Sequence, residues 1–349
     1  MNEKLIEFIE TSFLASLLEN ENITDISFNG ENIFYKDNEQ GRVKSEIKIS
    51  STEASDFIRQ IANLTNQQFS VTNPILDVSV DKYRISATHN SVTRKNRRSV
   101  INFSFRIGYD KLRISDDFIP QKVLNLLKLA LKHKYSIIIA GMTGTGKTEF
   151  QKYLLSKLDD NTRIILIDNI NELETDFFTK NLDSQTWLVT KSFTDLGFDE
   201  FIKCALRCNP DWLIVNEARG KEMLSVLNST MSGHPTITTV HSKESSLTYN
   251  RLARMCLISN EALEFEETLI DIYDHFKFIC HLKAYYDPLK KRTIRYLDSI
   301  GTNDEGNYVE LYKHPNIFNK IPNSLREGLE MTVTEFNKFN QEFAGKNKK

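Results

Sequence analysis

The chain has 349 residues, enough for two domains of ordinary size that each bury a core. Charged residues make up 26% of it and hydrophobic residues 40%, which is typical of a globular protein in water. A net charge of −2 gives no general attraction to nucleic acid or anionic lipid, so any basic site must be local. No apolar run has the length of a membrane span, and the first ten residues do not form a signal peptide. We therefore expect a cytosolic protein whose four cysteines are reduced.

The first hundred residues alternate short strands with helices, the pattern of a small α+β domain. Apolar residues at helical spacing predict one amphipathic helix over residues 3–18. A second helix is expected to begin at Ser51 and Thr52, which offer an N-cap ahead of Glu53. Strands are predicted over residues 23–29, 33–35, 43–49, 75–80, 83–89 and 100–107.

Residues 94–98, Arg-Lys-Asn-Arg-Arg, form the densest basic cluster of the chain and join two predicted strands. Three interpretations are open: a solvated hairpin loop, a nucleic-acid patch, or arginines that face a nucleotide or a neighbouring subunit. The solvated loop is favoured narrowly, because no aromatic residues that could stack on bases are interleaved with the charges.

A polar, turn-rich segment at residues 108–118 is the predicted linker between an N-terminal domain (residues 1–107) and a larger domain (residues 119–349). After it, helices alternate with strands at residues 136–140, 163–167, 186–189, 212–215 and 236–240. This alternation predicts a mostly parallel sheet with ligands at the carboxyl ends of its strands. Three further strands (276–284, 293–300, 308–311) predict a small antiparallel extension, and a final helix is expected over residues 322–343.

The segment GMTGTGKT, residues 141–148, matches the phosphate-binding pattern GxxxxGK[ST]. Glycines let several backbone N–H groups converge on one phosphate, and the following helix adds its positive end. Lys147 is expected to reach the β- and γ-phosphates of ATP and Thr148 to bind Mg²⁺. A chance match in a surface turn is the alternative, but an apolar strand and a helix flank the motif as required. The predicted nucleotide-binding residues are Gly141, Met142, Thr143, Gly144, Thr145, Gly146, Lys147, Thr148 and Glu149.

Three predicted strands end in polar groups that suit nucleotide chemistry, namely Asp168, Glu217 and His241. Each alone is more often an ordinary solvated or hydrogen-bonded strand end. Beside a phosphate-binding loop, Glu217 is a candidate to orient the attacking water, and Asp168 to hold Mg²⁺ through a water. His241 is a candidate to hydrogen-bond the γ-phosphate or Glu217, and Arg219 to pair with a carboxylate or phosphate.

Four segments in this order resemble the boxes of the secretion ATPase superfamily, the traffic ATPases of type II and type IV secretion, pilus machines and conjugation. GMTGTGKT resembles its Walker A box and LIDNINEL (166–173) its acidic box. ALRCNPDWLIVNEARGKE (205–222) is similar to its Walker B segment, and SGHPTITTVHS (232–242) to its His box. The tetracysteine zinc module of many type II members is missing, which favours the conjugation or tight-adherence pilus branches.

The resemblance implies a RecA-like P-loop ATPase domain with a mostly parallel α/β sheet, preceded by a smaller α+β N-terminal domain. It further implies ATP hydrolysis with Mg²⁺ in a hexameric ring that moves protein, pilin or DNA, with nucleic acid only as cargo. The implied partner is the inner-membrane platform of a secretion or pilus machine. The implied location is the cytoplasm, with peripheral membrane association left open.

Residues within and beyond the P-loop receive roles from the resemblance. Catalytic roles fall to Glu217, Lys147, Asp168, His241 and Arg219, and Mg²⁺ contacts to Thr148, Asp168 and, through a water, Glu217. From the N-terminal domain, Arg106 is the strongest candidate to reach the phosphates, and Arg84 is a weaker one. Arg251 resembles the arginine that follows the family's His box.

Two departures from the family pattern leave alternatives open. The acidic box has Asp168, Asn169 and Ile170 where the family has Glu-Asp-Thr, and Asn216 stands where Gly usually precedes the Walker B glutamate. An ATP-binding switch or scaffold with little turnover is therefore one alternative. A RecA-like nucleic-acid motor is the other, and the basic segment 94–98 is its only support.

Overall fold

The computed structural model describes residues 2–108, 112–169, 173, 181–189, 196–259, 261–290 and 292–345. The N-terminal part contains one antiparallel sheet of six strands in the order β3-β2-β1-β8-β5-β4 and a separate two-stranded hairpin, β6-β7. Its elements are α1 (Asn2–Glu10), α2 (Ala15–Leu18), β1 (Ile23–Phe28), β2 (Ile33–Asp37), β3 (Gly41–Lys44), α3 (Ser51–Leu64), β4 (Ile75–Val80), β5 (Tyr83–Thr88), β6 (Arg94–Lys95), β7 (Arg98–Ser99) and β8 (Asn102–Ile107).

The core of this part lies between the sheet and the helices. Phe57 of α3 packs against Phe103 and Phe105 of β8, with ring centroids 6.0 and 5.9 Å apart. Alternate strand residues point to this core, which is the period-two pattern of a sheet with one buried face. The predicted α+β character of this part is confirmed.

Two local predictions here are wrong. The helix expected over residues 3–18 is two helices, because the hydroxyls of Thr11 and Ser12 bond to the carbonyls of Glu7 and Ile9 and compete with helix continuation. The cap of α3 is Ser50, not Ser51 or Thr52. Its hydroxyl accepts the backbone N–H of Glu53 at 3.1 Å, and the Glu53 carboxylate accepts the backbone N–H of Ser50 at 2.7 Å.

The second part is built on a nine-stranded sheet in the order β11-β10-β12-β13-β9-β14-β15-β16-β17, in which the strands from β11 to β14 are parallel. Its elements are α4 (Gln121–Lys132), β9 (Ile137–Gly141), α5 (Lys147–Leu155), β10 (Arg163–Asp168), β11 (Asp183–Leu188), α6 (Phe198–Ala205), β12 (Trp212–Glu217), α7 (Glu222–Met231), β13 (Thr236–Val240), α8 (Thr248–Cys256), α9 (Phe265–His275), β14 (Phe278–Asp287), β15 (Arg292–Asp304), β16 (Asn307–Lys313), β17 (Ile317–Phe318) and α10 (Val333–Ala344).

Helices cover both faces of this sheet, and each face has its own core. Ile137 and Ile139 of β9 face the core shared with α4, α5 and α10, whereas Ile138 and Ala140 face the core shared with α6 to α9. Both faces are apolar because a parallel sheet covered on two sides leaves little of its strands to water. The predicted fold class, a RecA-like α/β domain after a smaller α+β domain, is confirmed.

The C-terminal segment differs from its prediction. The expected antiparallel extension continues the main sheet, since β14 lies parallel to β9 and pairs Leu282 with Gly141. The helix expected over residues 322–343 begins only at Val333, where Thr332 and Glu335 form a capping box. The backbone of Glu330 has a φ of +52°, which a continuous helix does not allow.

The boundaries predicted for the linker remain a prediction. Strand β8 ends at Ile107 and α4 begins at Gln121, with one short 3₁₀ turn at Asp116–Phe118 between them. Residues 109–111 of the predicted linker lie outside the described residues. In the part of the chain that the structure describes, no helix combines the length and the apolar character that a bilayer span requires.

Candidate functional site

The loop after β9 has the backbone geometry of a phosphate cradle. Gly144 and Gly146 have φ values of +79° and +91°, which glycine adopts without strain. A Cβ on Gly141 would lie 2.6 Å from the carbonyl oxygen of Leu282, so no side chain fits there. Helix α5 begins at Lys147, and its N-terminal end therefore faces the space that the loop encloses.

Lys147 is the buried cation of this loop. Its Nζ donates hydrogen bonds to the carbonyls of Gly141 at 3.1 Å and Met142 at 3.2 Å. Burial lowers the pKa of Lys147 to about 8; the charges of Arg106 and Arg219 act in the same direction, and Glu217 opposes them. An anionic ligand at the loop would restore the ordinary pKa, so the site fits a phosphate.

Four charged or titratable side chains, Lys147, His241, Glu217 and Arg219, lie one after another beside the cradle; we call them the polar row. The Nζ of Lys147 lies 3.4 Å from Nδ1 of His241, and Nε2 of His241 lies 2.9 Å from Oε1 of Glu217. The guanidinium of Arg219 then donates to Oε2 of Glu217 at 2.8 Å. The structure thus brings together four of the five predicted catalytic residues.

The charges in the polar row decide the protonation of His241 and Glu217, and with it which atoms can donate or accept. Burial and the charge of Lys147 lower the pKa of His241, so its ring is neutral at neutral pH. Nδ1 is then free to accept from Lys147, while Nε2 lies beside Oε1 of Glu217, a buried oxygen that accepts no hydrogen bond from the described residues. Burial raises the pKa of Glu217, but the hydrogen bond from Arg219 and the charges of Arg219 and Lys147 outweigh it and hold the pKa below its usual value. Glu217 is therefore an ionised carboxylate that can accept a proton.

Asp168, the fifth predicted catalytic residue, accepts hydrogen bonds from a different set of residues. It is fully buried at the end of β10. Its Oδ1 accepts from the Nδ2 of Asn216 at 2.5 Å and from the backbone N–H of Asn169, and its Oδ2 accepts from the N–H of Leu173. As placed, the carboxylate organises the strand ends, and its role at a metal stays a prediction. Residues 170–172 of the acidic box lie outside the described residues.

The other predicted nucleotide-binding residues differ in exposure and in the groups that they contact. Thr145 donates its hydroxyl to the carbonyl of Met142 at 2.8 Å and so shapes the loop, whereas Thr143 is exposed. Thr148 is half-buried in the first turn of α5, where its hydroxyl is available to a metal. Glu149 instead accepts from the backbone N–H of Arg113 at 3.1 Å and pairs with Lys152.

The three arginines predicted outside the four boxes make different contacts. Arg106 of β8 lies near enough to the cradle for its charge to lower the pKa of Lys147. Arg84 is turned to Asp77, with an N–O distance of 3.3 Å, and stays within the N-terminal sheet. Arg251 of α8 contributes its charge to the lowered pKa of His241.

The basic segment 94–98 forms the β6-β7 hairpin. The Nζ of Lys95 pairs with Glu31 at 2.6 Å, and the guanidinium of Arg94 donates to the carbonyls of Asn90, Ser91 and Thr93. These contacts match the solvated hairpin that the sequence favours narrowly.

Sequence reasoning missed two groups of residues around the cradle. Arg295 of β15 bonds to the loop and to Asn38 of the β2-β3 turn, and Nε2 of His281 of β14 donates to the carbonyl of Ser242, next to His241. His281 also lies 3.3 Å from the buried carboxylate of Asp298. None of these residues belongs to a motif; the pairing of β14 with β9 places His281 beside the site, and the pairing of β15 with β14 places Arg295 there.

A pocket of about 260 Å³ opens beside Glu217. Its wall also includes Asn169, Phe198, Arg219 and Lys221. The carboxylate therefore borders a space that can hold water.

Comparison with known proteins identifies the family. The sequence profile described as "Type II/IV secretion system protein" matches residues 51–275, well over half of the chain. An uncharacterized protein of Bacillus anthracis is 30% identical over 311 residues, which cover 84% of this chain and 68% of that protein. The type IV secretion system protein VirB11 of Bartonella quintana is 30% identical over 185 residues, or 49% of this chain and about half (51%) of that relative.

Solved structures support the fold. The ATPase DotB of Legionella pneumophila superposes with a TM-score of 0.62 at 18% identity, covering 95% of this chain and 86% of DotB. The pilus retraction motor PilT, solved with bound ADP, superposes with a TM-score of 0.56 at 16% identity, covering 86% of this chain and 81% of PilT. The resemblance inferred from the four boxes is confirmed: the chain belongs to the type II/IV secretion system protein family of traffic ATPases.

Proposed function

We propose that this protein hydrolyses ATP with Mg²⁺ and uses the energy to drive a secretion, conjugation or pilus machine. The observation that carries the proposal is the polar row from Lys147 through His241 to Glu217 beside a glycine cradle. A loop of this kind binds phosphate, and a buried ionised carboxylate next to it is the group that hydrolysis requires.

Each residue of the polar row has a distinct task in this proposal. The cradle N–H groups and Lys147 hold the phosphates, and the ammonium leaves the carbonyls of Gly141 and Met142 to do so. Glu217 orients a water and accepts its proton. Neutral His241 lies beside the second carboxylate oxygen, and Arg219 keeps the pKa of Glu217 low.

The residues present fit Mg²⁺ only in part. Thr148 offers its hydroxyl at the start of α5, and a bound magnesium ion would neutralise charge on the phosphates. Asp168 already accepts hydrogen bonds from Asn216, Asn169 and Leu173, so it would act through water or after a change in its partners. Glu217 would contact the metal only through the water it orients.

The assembly and the machine are part of the proposal. A homo-hexameric ring would place Arg106 and the N-terminal sheet over the cradle, and closure of the two domains would perform mechanical work. The partner would be the inner-membrane platform of a secretion or pilus system, with the ring in the cytoplasm or peripherally on the inner face of the membrane. VirB11, named as a type IV secretion protein, and the pilus motor PilT support this choice of machine.

A switch or scaffold with little turnover is the second candidate, and the hydrogen bonds of Asp168 favour it. With both carboxylate oxygens engaged and Asn169 uncharged, the acidic box supplies less charge to a metal. Such a protein would bind ATP and release it almost unchanged. The nucleic-acid motor is weaker, because Lys95 and Arg94 of the basic hairpin already have protein partners.

The test is the steady-state ATPase rate measured against the protein's own concentration, with and without single-stranded DNA. We expect a rate that rises with concentration, ignores DNA and is lost in Lys147→Ala, while Lys203→Ala, an exposed lysine of α6, behaves as the unmodified protein. Stimulation by DNA would favour the nucleic-acid motor. Tight binding of ATP with near-zero turnover at every concentration would favour the switch.

A further inference from the structure

Arg295 joins three parts of the chain that are far apart in sequence. It lies on β15, and its Nε donates to the carbonyl oxygen of Gly144 in the cradle at 2.9 Å. Its Nη2 donates to Oδ1 of Asn38, in the β2-β3 turn of the N-terminal sheet, also at 2.9 Å. A single guanidinium therefore bonds to the phosphate loop and to the other domain at once.

The fit around this guanidinium is close. A Cβ on Gly146 would lie 3.4 Å from Cδ of Arg295, and a Cβ on Gly144 would lie 3.0 Å from the Nζ of Lys36 on β2. The two left-handed glycines of the cradle thus pass directly under side chains of β15 and of the N-terminal sheet. Movement of either neighbour would change the room available to the loop.

The N-terminal side of the contact is a well-fixed turn. The N–H of Asn38 donates to the carbonyl of Asn22 at 2.8 Å. The carboxylate of Asp37, which is buried, accepts the N–H groups of Glu39 and Gln40 at 2.7 and 2.9 Å. Because both neighbours of Asn38 are held in this way, its side chain is a firm anchor for Arg295.

We infer that Arg295 is a positioning residue for the nucleotide site, which sets the cradle at residues 144–146 and links its affinity for phosphate to contact with the N-terminal domain through Asn38. This inference rests on the proposed nucleotide binding. Arg295 acts on the loop backbone and not on the phosphate, which distinguishes it from Lys147. Its contact with Asn38 gives the N-terminal domain a path to the cradle that uses no family motif.

The test compares the dissociation constant of a fluorescent ADP analogue among single variants. Arg295→Ala loses two hydrogen bonds with a charged donor, so we expect about tenfold weaker binding. Arg295→Lys keeps the charge but not the planar fork, and should remain weakened. Arg292→Ala, an exposed arginine on the same strand, is the matched control and should bind as the unmodified protein does. In ATPase assays, KM should rise while kcat changes by less than about twofold.

A double-mutant cycle tests the path through Asn38. Asn38→Ala should weaken binding about two- to threefold in the unmodified protein and have no further effect in Arg295→Ala, because both changes break one connection. Equal effects of Asn38→Ala in both backgrounds, or unchanged binding by Arg295→Ala, would overturn the inference. Thermal unfolding without nucleotide checks that each variant folds. If Arg295→Ala does not fold, binding by Asn38→Ala and Arg295→Lys decides the matter. Failure of the unmodified protein to bind the analogue would overturn the proposed function as well.

Discussion

The Nζ of Lys147 lies 3.4 Å from Nδ1 of His241, although the two residues are 94 positions apart in the chain. They meet because β9 and β13 are adjacent and parallel, so the loops at their carboxyl ends share one edge of the sheet. The next strand, β12, adds Glu217 at the same edge. The phosphate-binding lysine and the carboxylate are therefore connected through a neutral histidine.

Glu217→Gln should retain nucleotide binding and lose hydrolysis. The amide keeps the size of the carboxylate and one oxygen that can accept from Arg219, but it cannot take a proton from water, so we expect kcat to fall by about 10²- to 10⁴-fold. Single-turnover ATP hydrolysis and fluorescent ADP binding measure the two effects separately. Glu244→Gln, an exposed glutamate after the His box, is the control. Normal turnover by Glu217→Gln would show that another group is the base.

Nucleotide affinity should fall as pH rises from about 7.5 to about 9, because Lys147 has a pKa of about 8 in the free protein. The charged form binds phosphate, and a bound phosphate raises the pKa, so binding takes up protons. Below about pH 7.5 the lysine is already charged and affinity should be constant. Titrations in buffers of different ionisation enthalpy measure the proton uptake. An affinity independent of pH over this range would contradict the lowered pKa.

Asn216→Ala should destabilise the protein by about 2 kcal/mol, since it leaves an oxygen of the buried Asp168 without its side-chain donor. Urea unfolding measures the change in free energy. Asn228→Ala, an exposed asparagine on α7, should change it by less than about 0.5 kcal/mol. If Asn216→Ala matched that control, the bond between Asn216 and Asp168 would contribute nothing to stability.

Asp298→Asn should cost about 2 kcal/mol of stability at neutral pH, because Asp298 accepts from His281, Lys283 and Lys313 in a nearly buried position. Burial raises the pKa of Asp298, but these partners outweigh it and hold the pKa well below the ordinary 3.8. The contribution is thus fully present above about pH 4 and is lost as pH falls through the folded-state pKa.

The measurement for Asp298 is urea unfolding at neutral pH and below about pH 4, where the difference between the unmodified protein and Asp298→Asn should shrink. Glu310→Gln is the control, since Glu310 pairs with Lys313 at 3.5 Å in a more exposed position and should cost less than about 0.5 kcal/mol. A difference that stayed constant through the acid range would argue against a titrating Asp298.

The sequence alone determined those features that depend on neighbouring residues. The strands at Ile75–Val80 and Thr236–Val240 were predicted with the observed bounds, because their apolar patterns and flanking turns are local. The cradle was readable in the same way, since its glycines must adopt positive φ values and Lys147 must follow them. The four boxes and their order also sufficed to identify the family.

The tertiary structure decided which distant residues meet at that cradle. Asp168 and Glu217 both end strands, but Asp168 accepts hydrogen bonds from Asn216, Asn169 and Leu173, whereas His241 lies between Glu217 and Lys147. Arg295 and Asn38 lie in no motif and are 257 positions apart. Arg295 reaches the loop because β14 pairs with β9 and brings β15 alongside, and Asn38 meets Arg295 from the separate N-terminal sheet. Strand order of this kind depends on packing of the whole sheet, which no local pattern encodes.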